Sequence, residues 1–189
     1  MKKISFLLIA LAISFTSCKK EKKETKTIET EVTKTEVVTP KKVKIALTAK
    51  SDSEVSGNVV FKEVDGEVSM TAIISGLTPG QHAIHIHASS DCTADDGSSA
   101  GGHWNPTAQP HGKWGDDAGY HKGDIGNFTA DENGNGTISF TTDQWCIGCG
   151  DETKDIIGKG IIVHAGVDDL TSQPSGAAGA RVSCAGIIE

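Results

Sequence analysis

The hexapeptide HAIHIH, residues 82–87, holds three of the chain's seven histidines. Imidazole titrates near neutral pH and binds transition metals through a neutral ring nitrogen. In an extended chain, residues two apart share a face and lie about 6.6 Å apart, at roughly 3.3 Å rise per residue. His85 and His87 therefore project together, while Ile84 and Ile86 face a core. Two imidazoles so placed can close on one ion at about 2 Å each. H-x-H alone is a short pattern, and a half-buried strand with two histidines facing water would show it too. The downstream stretch HWNPTAQPHGKWGDDAGYHKGD changes that balance, because it carries His103, His111, His121 and Asp124 among few residues able to order it. Three neutral imidazoles and one carboxylate make a closed tetrahedral set suited to Zn²⁺. His164, in IIVHA, adds an imidazole at the end of an apolar run.

Such ligands need a frame, and the frame reads as strands. VKIALTA (43–49), GNVVFKEV (57–64), EVSMTAIISG (67–76), AIHIHA (83–88), IGNFTA (125–130), GTISFTT (136–142), GIIVHA (160–165) and ARVSCAGII (180–188) are short and rich in β-branched residues. Asp65-Gly66 is a strong hairpin signal, and DENGNG (131–136) marks a second hairpin. No window of a dozen residues has helical periodicity. About eight short strands with Gly-rich connections predict an all-β, eight-stranded sandwich or barrel. Two connections, 89–123 and 166–180, are long and irregular, and such loops in a compact β domain are functional or pinned.

The ends and the charge narrow the setting. Lys2 and Lys3 precede the apolar run 4–15, ISFLLIALAISF, and then TSC ending at Cys18. That is the layout of a secretory signal over residues 1–17, too short to span a bilayer, which takes about 20 apolar residues. FTSC is similar to the lipobox of bacterial lipoproteins, whose cysteine becomes an acylated first residue, although Phe15 stands where an aliphatic residue is usual. The expectation is a lipid anchor at Cys18 in the envelope of a bacterium, facing the periplasm or outward. Residues 18–42 continue as a tether of Lys, Glu, Thr and Val that cannot bury enough surface to offset its ordering entropy. Residues 43–189 suit one domain. Their eight Lys or Arg against twenty Asp or Glu leave a formal charge of −12, which argues against nucleic acid and anionic lipid surfaces as partners. With Cys18 acylated, Cys92, Cys146, Cys149 and Cys184 remain, and two disulfides are the default in an oxidising compartment, with three pairings open. Cys146-Ile-Gly-Cys149 reads as a redox pair, half of a zinc site or, preferably, a local disulfide, since no second C-x-x-C accompanies it.

In order and spacing, HAIHIHASSDC, GGHWNP, HKGDIGN, IIVHAGVDDL and AGARVSC resemble the copper–zinc superoxide dismutases over residues 43–188. The resemblance implies a Greek-key β-barrel with a long metal-binding loop and one copper and one zinc per subunit. It implies copper ligands His85, His87, His103 and His164, and zinc ligands His103, His111, His121 and Asp124. His103 then bridges the two ions, and nitrogen-rich tetragonal coordination favours copper where the carboxylate-containing set favours zinc. It also implies that Asp168 links the free nitrogens of one copper and one zinc histidine, that His82 packs beneath the site without binding metal, and that Cys92 pairs with Cys184. Arg181, the chain's only arginine, would attract the substrate, superoxide. The connection before Arg181 is short and lacks the charged cluster of better-known eukaryotic members, which leaves guidance weaker or shared with lysines such as Lys122. The expected activity is dismutation of superoxide to O₂ and H₂O₂; a homodimer is compatible with the resemblance but not specified. Copper buffering without turnover, or an adhesion sandwich that kept only the fold, are the competing readings.

Overall fold

The computed structural model describes residues 39–189, so the signal segment, Cys18 and most of the tether lie outside the described residues. Eight strands form: β1 (Lys41–Ala49), β2 (Ser56–Val64), β3 (Glu67–Ser75), β4 (Gly80–His87), β5 (Gly126–Ala130), β6 (Gly136–Thr142), β7 (Gly160–His164) and β8 (Arg181–Gly186). Alternation produced most of these. In β1, Val43, Ile45 and Leu47 are buried while Lys42, Lys44 and Ala46 are exposed. The first strand starts two residues before the boundary expected at 43, because Lys41 and Lys42 pair in register with Glu63 and Lys62 of β2. Asp65 and Gly66 both adopt positive φ, 52° and 81°, the backbone that a tight hairpin between β2 and β3 requires.

All pairings between the eight strands are antiparallel, and the sheet closes on itself in the order β1-β2-β3-β6-β5-β4-β7-β8. The run β6-β5-β4-β7 places the returning strand beside the first of three consecutive ones, which is the Greek-key arrangement. Two seams are thin. β1 meets β8 at Thr48–Cys184 and Ala49–Ser183, and β5 meets β6 at Ala130–Gly136. The barrel is thus two four-stranded sheets stitched at their margins, so both halves of the sandwich-or-barrel expectation describe it.

Phe61, Met70, Ile84, Ile86 and Ile161 have no exposed surface and anchor the core between those sheets, each contributing about 1.5–3 kcal/mol of burial. Three long connections leave the barrel: 88–125, 143–159 and 165–180. The second was not singled out from sequence. It is ordered by Trp145, Ile147 and Ile156, all buried in the core cluster. Among the described residues no helix is long and apolar enough to cross a membrane.

Candidate metal centre

Both faces of β4 are covered. Ile84 and Ile86 join the barrel core, and His85 and His87 on the opposite face are 0% and 1% exposed. The cover is the 88–125 connection, which takes over the edge of β4 where β5 has ended. Trp104 N–H donates to Ile86 O at 2.8 Å, Ile86 N–H to Gly123 O at 2.9 Å and Ala88 N–H to Gly102 O at 2.9 Å. This brings His103 into a β-bridge with His87. Gly123 is required there, because a Cβ would collide with the Ile86 carbonyl.

Seven side chains converge. His85, His87, His103 and His164 each offer a ring nitrogen, all within 4.8 Å of one another, and His103, His111, His121 and Asp124 form a second group by the same measure. His103 belongs to both, its ring centroid 4.0 Å from that of His85, 5.0 Å from His87, 5.3 Å from His111 and 5.6 Å from His121.

In five of the six rings one nitrogen is hydrogen-bonded and the other is not. His85 Nε2 pairs with Asp168 Oδ2 at 2.8 Å, His87 Nδ1 with Gly101 O at 2.8 Å and His164 Nδ1 with Gly179 O at 3.3 Å. His111 Nε2 pairs with Asp168 Oδ1 at 2.8 Å and His103 Nδ1 with Asp124 Oδ1 at 2.7 Å. Among the described residues seven buried side-chain atoms lack a hydrogen-bond partner. Six are His85 Nδ1, His87 Nε2, His103 Nε2, His111 Nδ1, His121 Nδ1 and His164 Nε2. The last two of the zinc-type group, His111 Nδ1 and His121 Nδ1, lie 3.0 and 3.2 Å from the Asp124 carboxylate without hydrogen-bond geometry. An unpaired buried polar atom costs about 1–3 kcal/mol. Six of them aimed at two points fit cations, and little else would offset that cost.

At three of the rings the electrostatics agree with ligation. Burial, reinforced by neighbouring imidazoles and Arg181, pushes His87 down to about 2 and His164 to about 3. Burial pushes His103 to about 4 although Asp124 opposes it. These rings are neutral at pH 7, the form that binds metal. His111 goes the other way: burial lowers it, but the two carboxylates beside it, Asp124 and Asp168, prevail and raise it to about 9. Both carboxylates resist burial through their histidine hydrogen bonds and are held well below the usual carboxylate range.

Asp168 ties the groups together from the 165–180 connection, and a side chain at Gly176 (φ 67°) would strike its carboxylate. Two contributors escaped the sequence reading. Asn127 braces Asp168, donating Nδ2–H to its carbonyl and accepting its N–H, both at 2.8 Å. Gln173 does the same for His111, at 2.9 Å in each direction. Neither carries a local signal, since their partners lie 41 and 62 positions away.

A cavity of about 210 Å³ opens onto His87, His103 and His164, and Arg181 lines it with Gly102, Pro174, Ser175 and Gly179. Arg181 Nη1–H donates to Gly97 O at 2.7 Å, which fixes the guanidinium there. Lys122 does not line this cavity. Its ammonium donates to Gln144 Oε1, in a separate cluster with Tyr120. His82 stands apart from both groups, its nitrogens on His164 O at 2.9 Å and Thr78 O at 2.8 Å. Cys92 is bonded to Cys184, and Cys146 to Cys149.

A sequence model of copper/zinc superoxide dismutase matches residues 55–187. Among solved structures, the chain is similar to a SOD-like protein from Bacillus subtilis, crystallised as a double mutant with a tyrosine and a proline each replaced by histidine. The two share 29% identity over 77% of this chain and 97% of that one, at a TM-score of 0.69.

Proposed function

This chain belongs to the copper/zinc superoxide dismutase family, and we propose that it converts two superoxide anions and two protons to O₂ and H₂O₂. In this reading His85, His87, His103 and His164 hold copper, and His103, His111, His121 and Asp124 hold zinc. Copper held there would supply the one-electron redox chemistry that dismutation needs, and zinc would order the loop. The observation that carries the reading is the set of six unpartnered imidazole nitrogens converging on two points around one shared ring.

The side chains have distinct tasks. Arg181 keeps positive charge at the cavity leading to His87 and draws the anion against the charge of the rest of the domain; a guanidinium stays protonated and presents a fork of donors. His103 Nε2 is the buried atom on the copper side, placed to take up a proton and deliver it to the peroxide product. Asp168 accepts from His85 and His111 and fixes which nitrogen each ring turns to its ion.

Metal analysis of the purified chain, with a superoxide assay before and after chelation, tests this. The expected result is one copper and one zinc per chain, and activity that disappears with chelator and returns with copper. His87→Ala should bring dismutation to background, and full activity in a copper-loaded His87→Ala protein would overturn the assignment. A fully metallated wild-type chain without turnover would leave copper buffering as its role. The proposal extends to an envelope location through acylation at Cys18, supported by the basic start and apolar run before it. Incorporation of an alkynyl fatty acid in cells, lost in Cys18→Ala, tests that part.

A further inference from the structure

The two disulfides differ in what depends on them. Cys92–Cys184 joins positions 92 apart, with Cys184 fully buried between β7 and β1. Cys146–Cys149 spans three positions and leaves Cys149 exposed while Cys146 is 7% exposed. The loop around the second pair is held without its sulfurs. Cys146 N–H donates to Lys154 O at 2.8 Å and its carbonyl accepts from Ile156 N–H at 3.1 Å. Ile147 N–H donates to Glu63 Oε2 at 2.8 Å, and Lys41 Nζ to Ile147 O at 2.7 Å. Asp155 clamps both sides of Cys149, accepting from Gly148 N–H at 2.9 Å and Gly150 N–H at 2.8 Å. Cys149 is exposed between two glycines; the Asp155 carboxylate comes within 4.8 Å of its sulfur and Glu189 Oε1 flanks Gly148, while nothing lies within 4 Å of a Cβ built at Gly150, which leaves that side open to an attacking thiol.

We propose that Cys146–Cys149 is a thiol–disulfide exchange site, opened by a dithiol attacking the sulfur of the exposed Cys149. The attacking thiolate forms a mixed disulfide with Cys149, the Cys146–Cys149 bond breaks, and Cys146 leaves as a thiolate that takes a proton. The second thiolate of the dithiol then attacks its own sulfur in the mixed disulfide and releases Cys149, which is protonated in turn. Two electrons and two protons pass from the dithiol to the cystine, and the attacker ends as a disulfide. Because the Asp155 clamp keeps the two sulfurs close after opening, closure is intramolecular and the exchange runs in both directions.

The test uses the metal-loaded full chain under native conditions with dithiothreitol as the dithiol, timed acid quenching, alkylation and peptide mass spectrometry. Cys146 and Cys149 should be labelled at least about tenfold faster than Cys92 and Cys184, as access governs the rate. Equal rates, or earlier opening of Cys92–Cys184, would overturn the proposal. The point of attack is read from single variants with an aromatic disulfide probe. The free Cys149 of Cys146→Ser should react at least about tenfold faster than the free Cys146 of Cys149→Ser. The reverse order would overturn it. If either variant fails to fold, the wild-type labelling rates still decide the matter.

Discussion

Asp168 accepts a ring N–H on each carboxylate oxygen, from His85 on one and His111 on the other. An amide has one acceptor oxygen, so Asp168→Asn leaves one of those N–H groups facing a donor. Metal affinity should fall about 10–100-fold, measured by competition with a chromophoric chelator. The metal-free protein should also show opposed pH dependences. His87, His103 and His164 have folded values below the ordinary 6.5, so the unfolded chain binds more protons and stability declines as pH falls from 6.5 toward about 4 and below. His111 has a folded value raised to about 9, so its stabilisation is complete below 6.5 and is lost as pH rises through 9. Urea unfolding of the apo chain should therefore show maximal stability between these windows, and a monotonic profile would contradict the arrangement. The ligand residues were legible because their chemistry resides in residue type at fixed spacing. Asn127 and Gln173 were not, because each acts through backbone atoms that only the closed barrel brings near.

The 88–125 connection is held by three devices: the β4 edge, Gly123 and the Cys92–Cys184 link to β8. Replacing Cys92 by Ser removes the last and should cost about 2–5 kcal/mol, read as a lower urea midpoint, together with faster zinc loss from a loop no longer fastened to the barrel. The strands themselves were readable from alternation and from Asp65-Gly66. The 143–159 connection was not, because Trp145, Ile147 and Ile156 are buried without regular spacing. Alternation also understated β4 and β7, whose residues are buried on both faces once the loops fold over them.

The domain from residue 43 carries −12, yet its cavity is lined by the sole arginine. Repulsion from the whole surface and attraction at Arg181 act over different distances. The screening length shrinks from about 30 Å at 0.01 M salt to about 3 Å at 1 M. In the wild type the local attraction should prevail, so kcat/KM for superoxide falls as salt rises. In Arg181→Ala only repulsion remains, and kcat/KM, lowered at least about tenfold, should rise with salt. Slopes of equal sign in stopped-flow assays would remove Arg181 from guidance. The two-sheet construction of the barrel divides its labour unevenly. His85, His87, His164 and Arg181 all stand on β4, β7 and β8, and β1, β2, β3 and β6 lend no side chain to either histidine group. The outward side of those four strands, where Ile73 is 63% exposed, is therefore a handle: dyes, tags or solubilising substitutions grafted there leave the ion-holding wall untouched.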